Sequence, residues 1–387
     1  MHVVMTGAGN IAGGVLEAAF IPYQKSEIER IWGVRPVLSA LFDQHTFLHW
    51  PNGDGPSKEE IGKIIAVKSD PTGYHALPGG VTYSDPFAPL AMAPDRNTTL
   101  MDLTAGDTLE LLLEAARQGL PIVSINKVPF VHKDPKLSQQ LVLYPWLRFG
   151  ATAGGPLGFP QQMLRLAQAG YRINEVEGIF SGTNSRLLSD LTDAIHAPDR
   201  AGDADLVEIF VQVVRQLQRS GCTEPNAWDD LCGADVGVKV RNLGRIASLT
   251  ELTPESKWRW TRTQEDQIRP IIPSPDHKIK TQDDLERHIR ANGRELVKTI
   301  ASLDPARKRM VYWARFGPEG YGVGPNIINH THPFFNLQPG ENAMRVQTDG
   351  GCLPFQWSGT GAGRPETAGE ARAGMIELMR LRTTLPR

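Results

Sequence analysis

Short apolar runs alternate with amphipathic stretches through the N-terminal part of the chain. His2–Thr6 predicts a strand, and Ile11–Phe20, behind a glycine turn, predicts a helix. Val37–Phe42 predicts a second strand that ends at Asp43. A Pro- and Gly-rich stretch, Pro51-Asn-Gly-Asp-Gly-Pro56, then breaks the pattern. Thr99–Leu103 predicts another buried strand, Thr108–Gln118 an amphipathic helix, and Pro121–Ile125 a strand running into Asn126-Lys127. Strands alternating with helices in this way form a parallel sheet.

The pattern changes in the middle. Gly150-Ala-Thr-Ala-Gly-Gly155 opens a helix over Leu157–Ala169, and Val176–Phe180 predicts a strand. Helices follow at Ala204–Arg219 and Gly233–Ser248. The segment Thr253–Asp284 is charged, interrupted by Trp and Pro, and too weakly periodic for an assignment. Arg309–Phe316, Ala343–Thr348 and Leu353–Trp357 predict strands, and Gly359-Thr-Gly-Ala-Gly363 leads into a terminal helix running through Met379. No internal repeat or low-complexity tract interrupts this order.

Composition narrows the class. The chain has 387 residues, 40% of them hydrophobic and 22% charged, with a formal net charge of −2. That balance offers no electrostatic case for nucleic acid or an anionic membrane as partner. The N-terminus enters a strand directly and lacks the regions of a signal peptide. No apolar stretch approaches the ~20 residues that span a bilayer. Cys222, Cys232 and Cys352 are odd in number and scattered, which fits neither a disulfide framework nor a zinc site. A reducing cytoplasm is expected, with Cys222 a small buried hydrophobe. Asn329-His-Thr-His332 holds two histidines with no acid or cysteine cluster beside them, so structural or exposed histidines are expected and no metal.

Gly7-Ala-Gly9-Asn-Ile-Ala12 follows a strand and opens a helix, the context in which a glycine-rich turn binds a dinucleotide. The first glycine permits the turn, the second lets backbone approach a pyrophosphate, and the small last residue packs helix on strand. Asp43 stands where a carboxylate accepts hydrogen bonds from ribose hydroxyls, which favours NAD over NADP; a plain strand-end turn is the alternative. Asp102-Leu-Thr-Ala-Gly106 and Asn126-Lys127 end strands at the edge where open α/β sheets bind ligands. Farther on, Trp228-Asp-Asp-Leu-Cys-Gly-Ala-Asp-Val-Gly-Val-Lys239 places Asp235 and Lys239 four residues apart. On a helix such a pair shares one face, although most pairs at this spacing are solvated surface pairs.

In order along the chain, these landmarks resemble homoserine dehydrogenase. They are the Gly7 turn, Asp102-Leu-Thr104, Ile125-Asn-Lys127, Ala151-Thr-Ala-Gly-Gly155, Gly178-Ile-Phe-Ser-Gly-Thr183, Thr223-Glu-Pro225, the Asp229–Lys239 block, Glu341-Asn-Ala343 and Gly361-Ala-Gly363. The resemblance implies an α/β fold, with a Rossmann-type parallel-sheet domain and an α+β catalytic and dimerisation domain. The division expected is 1–148 for the dinucleotide, 149–335 for catalysis and dimerisation, and 336–387 returning to the first domain. It implies interconversion of L-homoserine and L-aspartate 4-semialdehyde with NAD or NADP, in the threonine and methionine branch of amino-acid biosynthesis, by a homodimer. A relative acting on a different amino alcohol or amino aldehyde is the alternative.

Residue by residue, the resemblance places Lys127 and Lys239 about the reacting oxygen. Glu224 and Thr183 hold the substrate amino group, with the Gly182 backbone near its carboxylate. Asp230 and Asp235 orient the substrate hydroxyl and the catalytic lysine. Gly7, Gly9, Asn10, Ile11, Asp43, Thr104 and Lys127 fall to the cofactor, with Gly361, Ala362 and Gly363 close to the nicotinamide. Several positions depart from the family. Ser181-Gly-Thr-Asn-Ser-Arg186 replaces Asn-Gly-Thr-Thr-Asn-Tyr, Cys222 stands where a Tyr is usual, and Gly150 where many members carry a Glu that helps bind a monovalent cation. The chain ends soon after the helix near Arg364, so no amino-acid-sensing domain and no threonine feedback are expected.

Overall fold

In the computed structural model the apolar runs of the N-terminal part become the strands of one sheet. The described residues are 1–51, 53–67, 77, 79–198, 205–223, 226–250, 267–317, 320–351, 353–361 and 363–384. They form two units, Met1–Gln161 together with Arg364–Arg387, and Gln162–Gly363.

The first unit begins with β1 (His2–Thr6), α1 (Asn10–Ala19), α2 (Pro22–Trp32), β2 (Val37–Phe42), β3 (Thr46–His49) and α3 (Lys58–Val67). It continues with β4 (Val81–Thr82), α4 (Ala88–Ala91), β5 (Thr99–Asp102), α5 (Leu109–Arg117), β6 (Ile122–Ser124), α6 (Pro135–Val142), β7 (Leu147–Arg148) and the start of α7 (Phe159–Gln168). The sheet order is β4-β3-β2-β1-β5-β6-β7. β2, β1, β5, β6 and β7 run parallel, whereas β3 and β4 add antiparallel edges. The chain leaves β1 for β2 on one side and later returns to β5 on the other. That reversal opens a crevice at the strands' carboxyl ends, the usual ligand position in such sheets.

Several elements here were absent from the sequence expectation, α2 and β3 among them. α2 buries only Lys25 and Ile28, too narrow a stripe to register, although Pro22 at its start and the left-handed Gly33 (φ +70°) at its end punctuate it. The segment after Asp43 turns back as the β2–β3 hairpin, with the Asp43 N–H donating to the Thr46 carbonyl at 2.8 Å.

The second unit carries β8 (Ile173–Ile179), α8 (Gly182–Ile195), α9 (Leu206–Arg219), α10 (Trp228–Leu231), α11 (Ala234–Ala247), α12 (Gln282–Asn292) and α13 (Arg294–Ala301). Four strands follow: β9 (Lys308–Gly317), β10 (Gly320–Asn329), β11 (Glu341–Thr348) and β12 (Phe355–Thr360). They pair antiparallel in the order β10-β9-β8-β11-β12. The strand expectation did not include β10, whose glycines and Pro325 carry turn chemistry inside a strand. Missing α8 is the more consequential omission, since Leu187, Leu188, Leu191 and Ile195 bury one helical face. Residues 253–266 of the unassigned segment lie outside the described residues. Between α9 and α12, Glu286 accepts from Arg215 Nε and Nη2 at 2.6 Å each, and this pairing holds its carboxyl down at about 2.

The final helix, α14 (Arg364–Thr384), belongs to the first unit. Its Met375, Leu378 and Met379 enter the core with Val3, Met5, Val15, Leu16, Leu38 and Met101. At Gly14 an added Cβ would lie 2.9 Å from the Ala368 Cβ, so small residues let α1 and α14 touch. The units divide elsewhere than the expected boundaries at 148/149 and 335/336. β11 and β12 complete the second sheet, and α14 is the part of 336–387 that joins the first unit.

Candidate active site

The glycine turn shows what each glycine is for. Gly7 has φ +85°, and an added Cβ would stand 2.6 Å from the Leu103 carbonyl carbon. The fold itself demands glycine there, because the turn lies against the end of β5. Gly9 is the opposite case. Its φ is −76°, and an added Cβ would meet nothing within 4 Å. A residue that the fold leaves in open space at the start of α1, beside Asn10 and Ile11, suits close approach by a phosphate.

Asp43 directly follows β2 at the same carboxyl edge. Its Oδ1 accepts from the Gln44 N–H at 2.7 Å and its carbonyl accepts from the Tyr83 hydroxyl at 2.5 Å. The residue thus serves the hairpin turn, the alternative weighed above, while standing where a ribose carboxylate is expected. Thr104 turns inward, donating its N–H and hydroxyl to Asp102 at 3.1 and 2.6 Å. Lys127 follows β6 at the head of a short 3-10 turn over Val128–Val131.

In the second unit, α8, α10 and α11 are drawn together around the start of α8. Ser181 caps α8, its Oγ accepting from the Asn184 N–H at 3.1 Å, and places Gly182 and Thr183 in the first turn. Thr183 donates its hydroxyl to the Cys222 carbonyl at 2.9 Å. Asn184, fully buried, donates Nδ2 to the Asp230 carbonyl at 3.0 Å. Left-handed Gly233 (φ +75°) separates α10 from α11; a Cβ there would strike the Tyr312 hydroxyl.

On α11, Asp235 and Lys239 share a face as their spacing predicts. The Lys239 ammonium sits 2.7 Å from Asp235 Oδ2 and donates to the Phe180 carbonyl at 2.8 Å. Its side chain is 15% exposed against 41% for Asp235, so the cation is the better shielded partner. Shielding from water strengthens its pull on any negative charge that develops nearby. Across the sheet, Asn342 is fully buried and its amide atoms have no hydrogen-bond partner among the described residues; a Cβ on Gly361 would lie 2.1 Å from that side chain. Gly363 has φ +140°. Glu224 and Ala362 lie outside the described residues.

The altered positions are now concrete. Cys222 is exposed, contrary to the buried hydrophobe expected. It follows the left-handed Gly221 at the end of α9, where the chain turns outward, and its Sγ accepts from Ser220 Oγ at 3.3 Å. Arg186 lies along α8, its Nε donating to both carboxylate oxygens of Asp190 at 2.9 and 2.8 Å. A Cβ on Gly150 would fall 2.4 Å from Glu370 Oε1, so a carboxylate from α14 stands where that side chain would begin. His332 Nε2 is 3.7 Å from Glu177 Oε2, and burial lowers its pKa, while His330 is exposed. Among the described residues no cluster of three or more His, Cys, Asp or Glu is arranged to hold a metal, and no helix is long and apolar enough to cross a membrane.

Reading the sequence gave no role to Asn184 or to Asn126, whose side-chain partners lie 46 residues away and about the neighbouring strand end. The local signal was an amide beside the landmark ending at Thr183 in one case and inside the Ile125-Asn-Lys127 landmark in the other.

The homoserine dehydrogenase sequence profile matches residues 161–376. The chain belongs to the homoserine dehydrogenase family. It is 30% identical to the homoserine dehydrogenase of Emericella nidulans over 325 residues, 78% of this chain and 80% of that one. Against the homoserine dehydrogenase of Saccharomyces cerevisiae it is 26% identical over 230 residues, 59% of each chain. The match thus spans less than two thirds of the yeast relative's length. A hyperthermophilic archaeal homoserine dehydrogenase solved in complex with NADPH shares the fold, with TM-score 0.64 at 15% identity, covering 100% of this chain and 98% of that one. The homoserine dehydrogenase profile takes in all of the second unit, which holds Lys239, and continues into α14.

Proposed function

We propose that the chain is an NAD(P)-dependent oxidoreductase interconverting L-homoserine and L-aspartate 4-semialdehyde, within threonine and methionine biosynthesis. One observation carries this beyond family membership: the shielded Lys239 ammonium, held between the Asp235 carboxylate and the Phe180 carbonyl beside the start of α8. The nicotinamide, when bound, gives or takes the hydride. In the reducing direction a C–H bond forms at the aldehyde carbon, and its oxygen becomes negative as the C=O π bond breaks. Lys239 stabilises that charge and transfers a proton to the oxygen; in the other direction its neutral amine takes the proton back. Asp235 orients it, and Lys127 serves the same chemistry as a second cation.

For the substrate we assign the amino group to Glu224 and Thr183 and the hydroxyl to Asp230. The carboxylate falls to the Gly182 backbone, where the positive end of α8 favours an anion. The cofactor falls to Gly7, Gly9, Asn10, Ile11, Asp43, Thr104 and Lys127, with Gly361, Ala362 and Gly363. Asp43 would repel a 2′-phosphate, so NAD is the preferred cofactor. We further propose a cytoplasmic homodimer formed through the second unit's sheet; a strictly monomeric species at micromolar concentration would contradict that part.

A second reading has its own support. Cys222 is exposed and Arg186 is engaged with Asp190, so the wall lacks the hydroxyl that a tyrosine would bring. A relative tuned to another α-amino alcohol would look the same here. Assaying homoserine oxidation with NAD and NADP, beside a panel of amino alcohols, separates the two. Homoserine turned over fastest supports the first reading, and a different substrate preferred by more than about tenfold, ~1.4 kcal/mol of transition-state binding, supports the second.

A further inference from the structure

We propose that Asn126 is a positioning residue that locks the turn carrying Lys127 to the loop after β5. This rests on the reading of Lys127 as part of the reaction. The anchor is Asp102, fully buried at the end of β5. Its Oδ1 accepts from the Thr104 N–H and hydroxyl at 3.1 and 2.6 Å, and its Oδ2 from the Thr108 and Ser124 hydroxyls at 2.6 and 3.3 Å.

Asn126, 2% exposed, completes the cluster. Its Nδ2 lies 2.7 Å from the Gly106 carbonyl and 3.0 Å from each of the Thr104 and Thr108 hydroxyl oxygens. A threonine hydroxyl has one proton, and both of these are given to Asp102. Each hydroxyl can therefore only accept from Asn126, which fixes the amide's orientation. Nδ2 faces the loop, and Oδ1 faces the Val128 N–H at 3.0 Å. The Asn126 N–H in turn donates to Ser124 Oγ at 3.2 Å.

Lys127 is thus bracketed by hydrogen bonds of the residue before it, one made by the Asn126 N–H and one reaching across to Val128. The same side chain holds the 103–108 loop through the Gly106 carbonyl. An added Cβ at Gly106 would meet nothing within 4 Å, so this loop faces open space at the ligand edge of the sheet. One carboxamide therefore ties the ligand loop to the backbone that aims the lysine. Asn126→Asp keeps the acceptor toward Val128 but sets an oxygen against the Gly106 carbonyl and the two spent hydroxyls, so it should be no better than Asn126→Ala.

The test is a double-mutant cycle read as kcat for homoserine oxidation, with melting temperature followed throughout. Asn126→Ala should lower kcat about ten- to a hundredfold in the unaltered chain, and less than about twofold in the Lys127→Ala background. Equal losses in both backgrounds would show a merely structural role and overturn the proposal. If Asn126→Ala fails to fold, Thr108→Val, which removes one hydroxyl of the cluster, takes its place in the same cycle with the same criterion. Should Lys127→Ala alone leave kcat unchanged, the assignment of Lys127 falls and the positioning role falls with it.

Discussion

At the carboxyl edge of the parallel sheet the chain keeps side chains out of the way, whereas beside the antiparallel sheet it crowds them in. Gly7 lies against the β5 backbone and Gly9 opens onto empty space, and the polar groups nearby are turned inward onto Asp102. The second unit instead gathers charged and polar groups, with the Asp235 carboxylate and the Phe180 carbonyl converging on the Lys239 ammonium. The difference teaches where to look for effects. Changes at the glycine turn should act on shape and binding, and changes around Lys239 on the chemical step, while Asn126 and Lys127 are the one part of the first region expected to reach kcat.

The largest effect that would break this contrast belongs to Lys239. Lys239→Ala should cut kcat by roughly 10²–10⁴, the usual contribution of a positioned proton donor, while cofactor affinity stays near its original value. Near-normal turnover of the variant in a steady-state assay would remove the mechanism.

Next come the two glycines, which should separate fold from binding. Gly7→Ala forces a side chain into the left-handed region at about 1–3 kcal/mol, before any clash with Leu103, and should lower the melting temperature. Gly9→Ala should leave melting nearly unchanged and weaken cofactor binding, measured by fluorescence titration. A Gly9 variant that melts early but binds normally would show that the open space has a structural use.

Asp43→Ser should narrow the gap between NAD and NADP in kcat/KM by about tenfold, roughly one charge–phosphate repulsion partly screened by solvent. An unaltered chain that strongly prefers NADPH would mean that Asp43 serves the hairpin alone.

The smallest expected effect lies away from both edges. Glu286 ionises near 4.5 in the unfolded chain and at about 2 in the folded one. Its contribution to stability is therefore whole at neutral pH, declines as pH falls below 4.5, and is gone below about 2. Glu286→Gln should melt earlier than the parent at pH 7, and the difference should shrink on acidification. A gap that stays constant with pH would show that Arg215 contributes through packing rather than charge.

The legible parts of the molecule share a physical character. β1, β2 and β5 are runs of apolar residues buried on both faces, and α5 and α9 carry broad apolar stripes, so each announces itself within a window of ten residues or so. The glycine turn and the Asp235–Lys239 spacing are likewise local, since a helix repeat alone puts that carboxylate and ammonium together. Among the elements that stayed hidden were α2, with its narrow buried stripe, α8, and β10, whose Gly322, Gly324 and Pro325 carry turn chemistry inside a strand. Cys222 was misjudged for a related reason. Cysteine is usually buried, but Gly221 turns the chain outward at that point, and no composition rule sees a turn made by the end of α9.

By itself, then, the sequence determined the two sheets' principal strands, the turn that requires Gly7, and the pairing of Asp235 with Lys239. Only the tertiary structure decided that the Phe180 carbonyl, 59 residues away, receives the Lys239 ammonium. It likewise decided that Asn184 holds Asp230 across 46 residues, and that Asn126 joins the β5 loop across 20. The reason is the range of the forces involved. Periodicity and backbone sterics act between neighbours and can be read along the chain. A hydrogen bond between distant residues is set by how sheets and helices pack, and it exists only once they have packed.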